Sequence, residues 1–481
     1  MSANFEHIPG EHRQFGRSRN PIWAPLLGVA VALPGCAWLW GYTVDDALIT
    51  ARVAAHIVEG FGPRFNRHGP VVDAVTPLGY AQLLAQFVQP DVLRTFMAAK
   101  WFGLGAWLIA AGLLGRLIAG VGVRVVRFMP LSVVALSAPL AAWAVSGMET
   151  GFVTLLTTFG LLGGRLGAAA LGVAAALRPE LLLFACALVA ARALVARSAP
   201  RAAAQLAFYT LIPTILVALL RVHYFGRALP LSFYAKPSDF EHGLRYAWGA
   251  VAFTGLPWLL LVTPHEFMRL PRQAWPLFAA LFAHGAALVL CGGDWMALFR
   301  LAVPVLPASA LAGAHVAEHA RLGFTLTRTT LALGAALLLA IGLGPSASRV
   351  GEDRKRLIAE ALPVFAHDAR IATLDVGWVG AATEAEVIDL AGVTDPEVAI
   401  FPGGHTSKRI PRAWLFARNP SAVVLLLARG TDLSEPSEEW VFARAVEQRV
   451  ATLIAPEFRV RTQLALGDQR YVVLEPVVSS P

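Results

Sequence analysis

Residues 22–62 read IWAPLLGVAVALPGCAWLWGYTVDDALITARVAAHIVEGFG. From Ile22 to Trp40 the run holds no charged side chain, and about 20 apolar residues are enough to cross a bilayer. It is too long for the apolar part of a signal peptide, so it is expected to remain as an anchor. Polarity then returns with the adjacent aspartates Asp45 and Asp46. Behind them ALITARVAAHIVEG reads as a helix, stopped by Gly60 and Gly62. An apolar span that opens directly onto paired carboxylates points to a membrane protein with chemistry at its surface.

Outward from this stretch the same pattern repeats. Apolar segments fall at 95–119, 129–146, 150–163, 166–178, 181–196, 203–221, 245–263, 275–291, 299–318 and 328–344; with 22–40 they make about 11 spans. Segments 150–163 and 166–178 are short and read as a broken or re-entrant pair. Residues 76–90, bounded by Pro77 and Pro90, read as a helix lying at the membrane surface. Composition agrees. The chain is 56% hydrophobic and 15% charged with mean hydropathy +0.59, whereas a soluble domain has about a quarter charged residues. That excludes a disordered chain, a collagen, a coiled coil and an ordinary cytosolic enzyme. Cys36, Cys186 and Cys291 lie in or beside apolar runs without metal-ligand spacing and read as core residues.

The net charge of +8 reads as membrane topology rather than as a nucleic-acid footprint. Arg13, Arg17 and Arg19 keep the N-terminal tail on the cytoplasmic side. Alternating the spans collects Arg116, Arg124, Arg192, Arg201 and Arg269 on that inner face and Asp45, Asp46, Asp73, Glu149, Glu180 and Asp294 on the other. The outer face also holds Arg52, Arg178, Arg227, Lys236 and Arg300, against the positive-inside bias. Cations that break the bias beside carboxylates suggest a site for an anionic ligand.

After residue 344 the composition changes. The expected domains are 1–344, a membrane part whose first outer loop is 42–94, and 345–481, a soluble α/β domain on the outer side by parity. Strands are expected at 371–374, 387–390, 422–427, 450–454 and 471–474, and a helix at 438–448. Asp375, Asp389 and Asp395 fit turn and cap positions beside them.

A carboxylate just above the bilayer can act as general base toward a hydroxyl, which is one role for Asp45 or Asp46. The other is capping the helix that follows. Asp45 is the slightly favoured base, because Asp46 lies nearer to Arg52 by helical spacing. Glu149 sits in SGMET between two spans, and Arg178 and Glu180 form a charged pair around a proline in RPE. His223, Arg227, Tyr234 and Lys236 lie in HYFGRALPLSFYAK, and Asp294 and Trp295 lie in GGDWM, six residues before Arg300 in the case of Asp294. Singly these read as caps, an ion pair and an interface belt. Together they converge on one face. No metal-ligand set, nucleophile elbow or nucleotide cradle accompanies them.

These residues also carry a resemblance. DDALITARVAAHIVEGFGPRFN followed by VVDAVTPL resembles the DDxxIxxRYxxNxxxGxGxxxN…VEGYTxPLW loop of a group of GT-C membrane glycosyltransferases. That group includes the actinobacterial terminal arabinofuranosyltransferases, which use decaprenyl-phosphoryl-arabinose. SGMET, LRPE, YFGRALPLSFYAK, GGDWM and ATLDVGWVG…VIDLAGVTDPEVA follow in the matching order, from about residue 42 to about 400. Val53 stands where the pattern has tyrosine, and Gly79 where it has tryptophan. Arabinose is therefore not carried over.

The resemblance implies a GT-C-like enzyme of the bacterial inner membrane, N-terminus cytoplasmic and tail domain periplasmic. It would move a sugar from a polyprenyl-phosphate donor to a glycan or glycolipid acceptor of the cell envelope. Asp45 and Asp46 would be catalytic. Arg52, Arg227, Lys236 and Arg300 would face the donor phosphate. Glu149, Arg178, Glu180, His223, Tyr234, Asp294 and Trp295 would line the substrate. Membrane lipid is the expected surrounding and nucleic acid is not an expected partner. No cofactor is required by this scheme, with a divalent cation left open. A non-catalytic scaffold of the same fold and a lipid-linked sugar transporter are the alternatives. A chain ending at Gly344 is expected to keep donor binding and lose transfer to a polymer.

Overall fold

The computed structural model describes residues 21–87, 91–431 and 440–477. Arg13, Arg17 and Arg19 lie outside the described residues. The described chain is mostly helical, with one small sheet near its C-terminal end. Five helical segments are long and apolar enough to cross a membrane: Val92–Ala119, Pro200–Phe225, Arg272–Leu290, Arg300–His319 and Leu322–Val364. A sixth appears if Val125–Ala135 and Ala138–Ala144, bent by 60° at their break, count as one span. This is compatible with a multi-pass membrane protein.

The expected 11 segments all meet helix, but fewer are long, straight spans. Residues 22–40 hold a helix of 16 residues, Trp23–Trp38. Segment 129–146 breaks because Ser137 starts a new helix, its hydroxyl accepting from Leu140 N, with Pro139 in the first turn. Segment 245–263 ends as a helix at Phe253, and Gly255 at φ +82 begins a separate short turn. Segments 150–163 and 166–178 form Thr150–Gly160 and Gly164–Leu177, joined through Gly163 at φ +81. The segment 76–90 is helical only over Tyr80–Ala85, and residues 88–90 lie outside the described residues. Tyr80, Ala81 and Leu84 are buried there, so this turn packs inward instead of lying free on a surface.

Among the described residues the tail domain has five strands: β1 Arg370–Thr373, β2 Glu386–Asp389, β3 Ala422–Leu426, β4 Phe458–Leu466 and β5 Gln469–Pro476. Their order is β2-β1-β3-β5-β4. The β1 strand runs parallel to β2 and β3, while β5 runs antiparallel to β3 and β4. The expected strand at 450–454 is instead the end of a helix, Ala445–Ile454. Val446, Val450 and Ile454 are all buried, a spacing of four that lines one helical face. The expected helix at 438–448 therefore starts later, and residues 438 and 439 lie outside the described residues. The β4 strand was not expected, because its Arg459 and Arg461 interrupt the apolar pattern of an edge strand.

Sequence composition divides the chain at 344, but packing does not. One hydrophobic cluster contains Ala47, Leu48 and Ala51 of the first loop together with Ile371, Val376, Trp378 and Val387 of the tail domain. Gly351 N donates to Gly41 O at 2.7 Å, tying the helix Val350–Val364 to the end of the first apolar helix.

Candidate functional site

The site is built on the helix Asp45–Val58. Its N-cap is Val44, without a side-chain cap, so neither aspartate has the capping role expected of it. Both lie in the first turn, where a carboxylate suits the helix dipole. Being adjacent, they point about 100° apart and meet different surroundings.

Asp45 faces the tail domain. Its Oδ1 accepts from Arg354 Nη1 at 2.6 Å and from Trp378 N at 2.9 Å, and its Oδ2 accepts from Gly377 N at 2.7 Å. Gly377 and Trp378 open the helix Val376–Ala381, so Asp45 caps a helix belonging to the other domain. Gly377 is required by this approach: a Cβ there would sit 2.1 Å from Asp45 O. Burial pushes the Asp45 carboxyl above the usual carboxylate range; Arg354 opposes that shift and Asp375 adds to it.

Arg52 follows Asp45 into the same interface, and this corrects its expected phosphate role. It is 2% exposed. Its Nε donates to Phe65 O at 2.9 Å, Nη1 to Thr383 O at 2.9 Å and also to Gly380 O, and Nη2 to Ala385 O at 3.1 Å. Its N–H groups point at backbone carbonyls, not at an open site. Asn66 completes the seam by bonding Val387 twice, Nδ2 to O and Oδ1 from N, each at 2.9 Å. Arg67 pairs with Glu59 at 3.0 Å and with Glu384.

Asp46 faces the other way, toward cations. Its Oδ2 lies 3.9 Å from both Lys236 Nζ and Arg300 Nη1, and its side chain is 30% exposed. Arg300 is held by Asp294, Nε to Oδ2 at 2.8 Å, and its guanidinium lies 5.6 Å from the centre of the Trp143 ring. Buried Asp294 is nonetheless kept below the usual carboxylate range, because Arg300, Lys236 and Arg178 outweigh the effect of burial. Deeper still, Arg178 Nε lies 2.8 Å from Glu149 Oε1 and 3.7 Å from Glu180 Oε1. Both Glu149 oxygens are buried without a well-directed hydrogen bond, so this contact is an ion pair of poor hydrogen-bond angle. The interleaving of opposite charges offsets part of the cost of burying each of them.

The rim of this cluster is aromatic. Arg227 sits 5.3 Å from the Tyr234 ring centre, on the segment that leads to Lys236. Trp295 is 62% exposed and stacks on His242 at 4.1 Å. His223 is exposed, with its ring 4.9 Å from that of Tyr224 rather than against this cluster.

A tail-domain residue also reaches this rim. The His405 ring centre lies 6.1 Å from that of Trp295. Burial, and then Lys236, push its imidazole down to about 4, so it is neutral at physiological pH. Its loop is pinned from below by Lys408, 1% exposed, whose Nζ donates to Ala399 O at 2.6 Å and Phe401 O at 2.9 Å. Ala399 in turn packs with Leu231 and Ala235 on the helix that precedes Lys236. The sequence signal for His405 was slight: a lone histidine after two glycines in PGGHTSK.

Among the described residues, no three His, Cys, Asp or Glu side chains converge as metal ligands. Residues 348–474 match the model of a family described as a domain of unknown function (DUF8728). That match covers the tail domain and leaves the membrane part outside it. No curated protein matches the chain.

Proposed function

We propose that this chain is a GT-C-type glycosyltransferase of the bacterial inner membrane, with its N-terminus cytoplasmic and its tail domain periplasmic. It takes a sugar from a polyprenyl-phosphate donor and moves it to a hydroxyl of an envelope glycan or glycolipid. One observation carries the reading: the half-exposed Asp46 carboxylate lies 3.9 Å from two cations, Lys236 and Arg300. Transfer from a lipid phosphate needs a general base and phosphate-binding cations near one another, and this cluster supplies a carboxylate and two cations side by side.

In this reading Asp46 accepts the proton of the acceptor hydroxyl as its oxygen bonds to the anomeric carbon. The bond from that carbon to the lipid phosphate breaks, and its electron pair leaves with the phosphate. Lys236 and Arg300 stabilise that charge, with Arg227 at the rim. Asp294 orients Arg300. Trp295 and neutral His405 offer a stacking face and a hydrogen-bonding group to the acceptor. Asp45 and Arg52 hold the helix in place rather than touching substrate. The resemblance of the ordered motifs adds support, and the sugar is not specified by it.

The test is the envelope glycan profile of a strain lacking this protein, complemented with wild type or with Asp46→Asn. A missing glycan residue restored by wild type and not by the variant supports the reading. Unchanged glycans in the deletion strain would overturn it.

A further inference from the structure

An open cavity of about 420 Å³ is lined by Arg165, Arg201, Ala204, Gln205, Phe208 and Tyr209. It carries two guanidinium groups and no acid. Arg165 Nη2 donates to Gln205 Oε1 at 3.0 Å, which leaves its other N–H groups to a ligand. The cavity lies toward the first residues of two helices, Gly164–Leu177 and Pro200–Phe225. Further along they pack closely: a Cβ at Gly172 would sit 2.5 Å from Thr210 O.

The second of these helices is exposed along an apolar face that begins at the cavity. Phe208, Leu211, Ile215, Leu216 and Leu219 are all exposed on it. Its far end carries Arg221, bonded to Asp73 at 2.9 Å in the first outer loop. The helix is 26 residues long, about 39 Å at 1.5 Å per residue, so the cavity at its first turns and the Arg221–Asp73 pair lie toward its opposite ends. With the acidic face outward, the cavity lies at the inner leaflet.

We propose that this cavity binds the phosphate headgroup of an anionic phospholipid of the inner leaflet, with its acyl chains along the Phe208–Leu219 face. Guanidinium groups match phosphate oxygens in a planar fork. A free phosphate would meet the same two arginines. The apolar face continuous with the cavity favours an amphiphile, because a soluble anion gains nothing from it. Basic hollows between helices on the cytoplasmic side are suited to anionic headgroups. This proposal rests on the orientation given under the proposed function, but not on the transfer activity.

The experiment measures lipid retention by native mass spectrometry of the full-length purified chain, using phosphatidylglycerol and phosphatidylcholine as probes. Wild type is expected to retain phosphatidylglycerol preferentially. The double variant Arg165→Gln, Arg201→Gln should lose about tenfold or more of that retention. Arg269→Gln, another arginine assigned to the inner face, should behave as wild type. Equal retention of the two lipids by wild type, or undiminished retention by the double variant, would overturn the site. Thermal stabilisation by inorganic phosphate equal to that by phosphatidylglycerol would overturn the lipid assignment in favour of a soluble anion. If the glutamine variant is not recovered folded, Arg165→Lys with Arg201→Lys is used. It should keep the preference for phosphatidylglycerol, and its loss there would also count against the site.

Discussion

Arg354 Nη1 donates to Asp45 Oδ1 at 2.6 Å, across 309 positions of sequence. The contact joins the start of the helix Asp45–Val58 to the helix Val350–Val364, which continues the last long apolar helix. Asp45 thus serves as a fastener between the membrane part and the tail domain. Its neighbour Asp46 is left to face Lys236 and Arg300. Two adjacent carboxylates of identical chemistry acquire different tasks because a helix turns about 100° between them.

Substitution should separate those tasks. Under the proposed function Asp46→Asn removes the general base without disturbing the interface, so sugar transfer should fall by about 10²–10⁴-fold with little change in melting temperature. Asp45→Asn leaves Arg354 without its anionic partner and weakens the cap on Val376–Ala381. It should lower stability by about 1–3 kcal/mol, below the range for a wholly buried pair because both side chains keep some exposure. Transfer assays and thermal melts on both variants check the pair. An Asp45→Asn protein that melts like wild type yet transfers no sugar would reverse the assignment.

Arg52 offers a second check on the interface. Its planar fork reaches Phe65, Gly380, Thr383 and Ala385 carbonyls together. Lysine keeps the charge but presents a single ammonium, which cannot span them. Arg52→Lys should loosen the docking, read as faster proteolytic release of the tail domain at unchanged membrane insertion. Proteolysis at the wild-type rate would show that charge alone is enough.

The apolar helices compatible with membrane spans were legible because long uncharged runs have few other uses in a chain. The number of straight spans was not, because Ser137 and Gly255 break segments whose mean hydropathy stays high across the break. Lys236, Arg300 and Asp294 could be grouped from sequence, since charges at span ends stand out against an apolar background. Arg52 was misread for a physical reason. Its partners are backbone carbonyls, which every residue possesses, and Gly380 lies 328 positions away. Asp389 and Asp395 do hold the turn and cap expected of them, accepting from Thr394 N and Val398 N among others. Asp375 stands at the N-cap position of Val376–Ala381 but makes no side-chain cap bond, because Arg444 takes both its oxygens at 2.7 Å.

The interface also changes what truncation should do. A chain ending at Gly344 would lack Arg354, Gly377 and Val387, the partners of Asp45 and Asn66. The helix bearing Asp46 would lose its support on one side. Donor binding should therefore fall together with transfer, contrary to the expectation from sequence that only transfer suffers. Binding of a polyprenyl phosphate to the truncated, membrane-inserted chain measures this. Wild-type affinity there would show that the first loop holds its shape alone.

The last prediction concerns pH and uses His405. Burial, then Lys236, push its imidazole down to about 4, against an unfolded value of 6.5. Below 6.5 the unfolded chain takes up a proton that the folded chain refuses until about 4. The unfolded state then binds more protons, so stability falls as pH drops through this window and is unaffected above it. The gap corresponds to at most about 3 kcal/mol at its acid end, less whatever solvent screening removes. Asp45 works in the opposite direction, because its raised carboxyl pKa lets the folded chain keep a proton longer. The bare melting profile therefore mixes the two, and the informative quantity is the difference between wild type and His405→Gln. Glutamine retains a neutral hydrogen-bonding group and cannot titrate. The variant should match wild type near pH 7.5 and become relatively more stable as pH falls from 6.5 toward 4. Melting curves of the two proteins across that range provide the test. Parallel profiles would mean that His405 takes up its proton in the folded chain as freely as in water, and that the tail domain does not shield it at the rim.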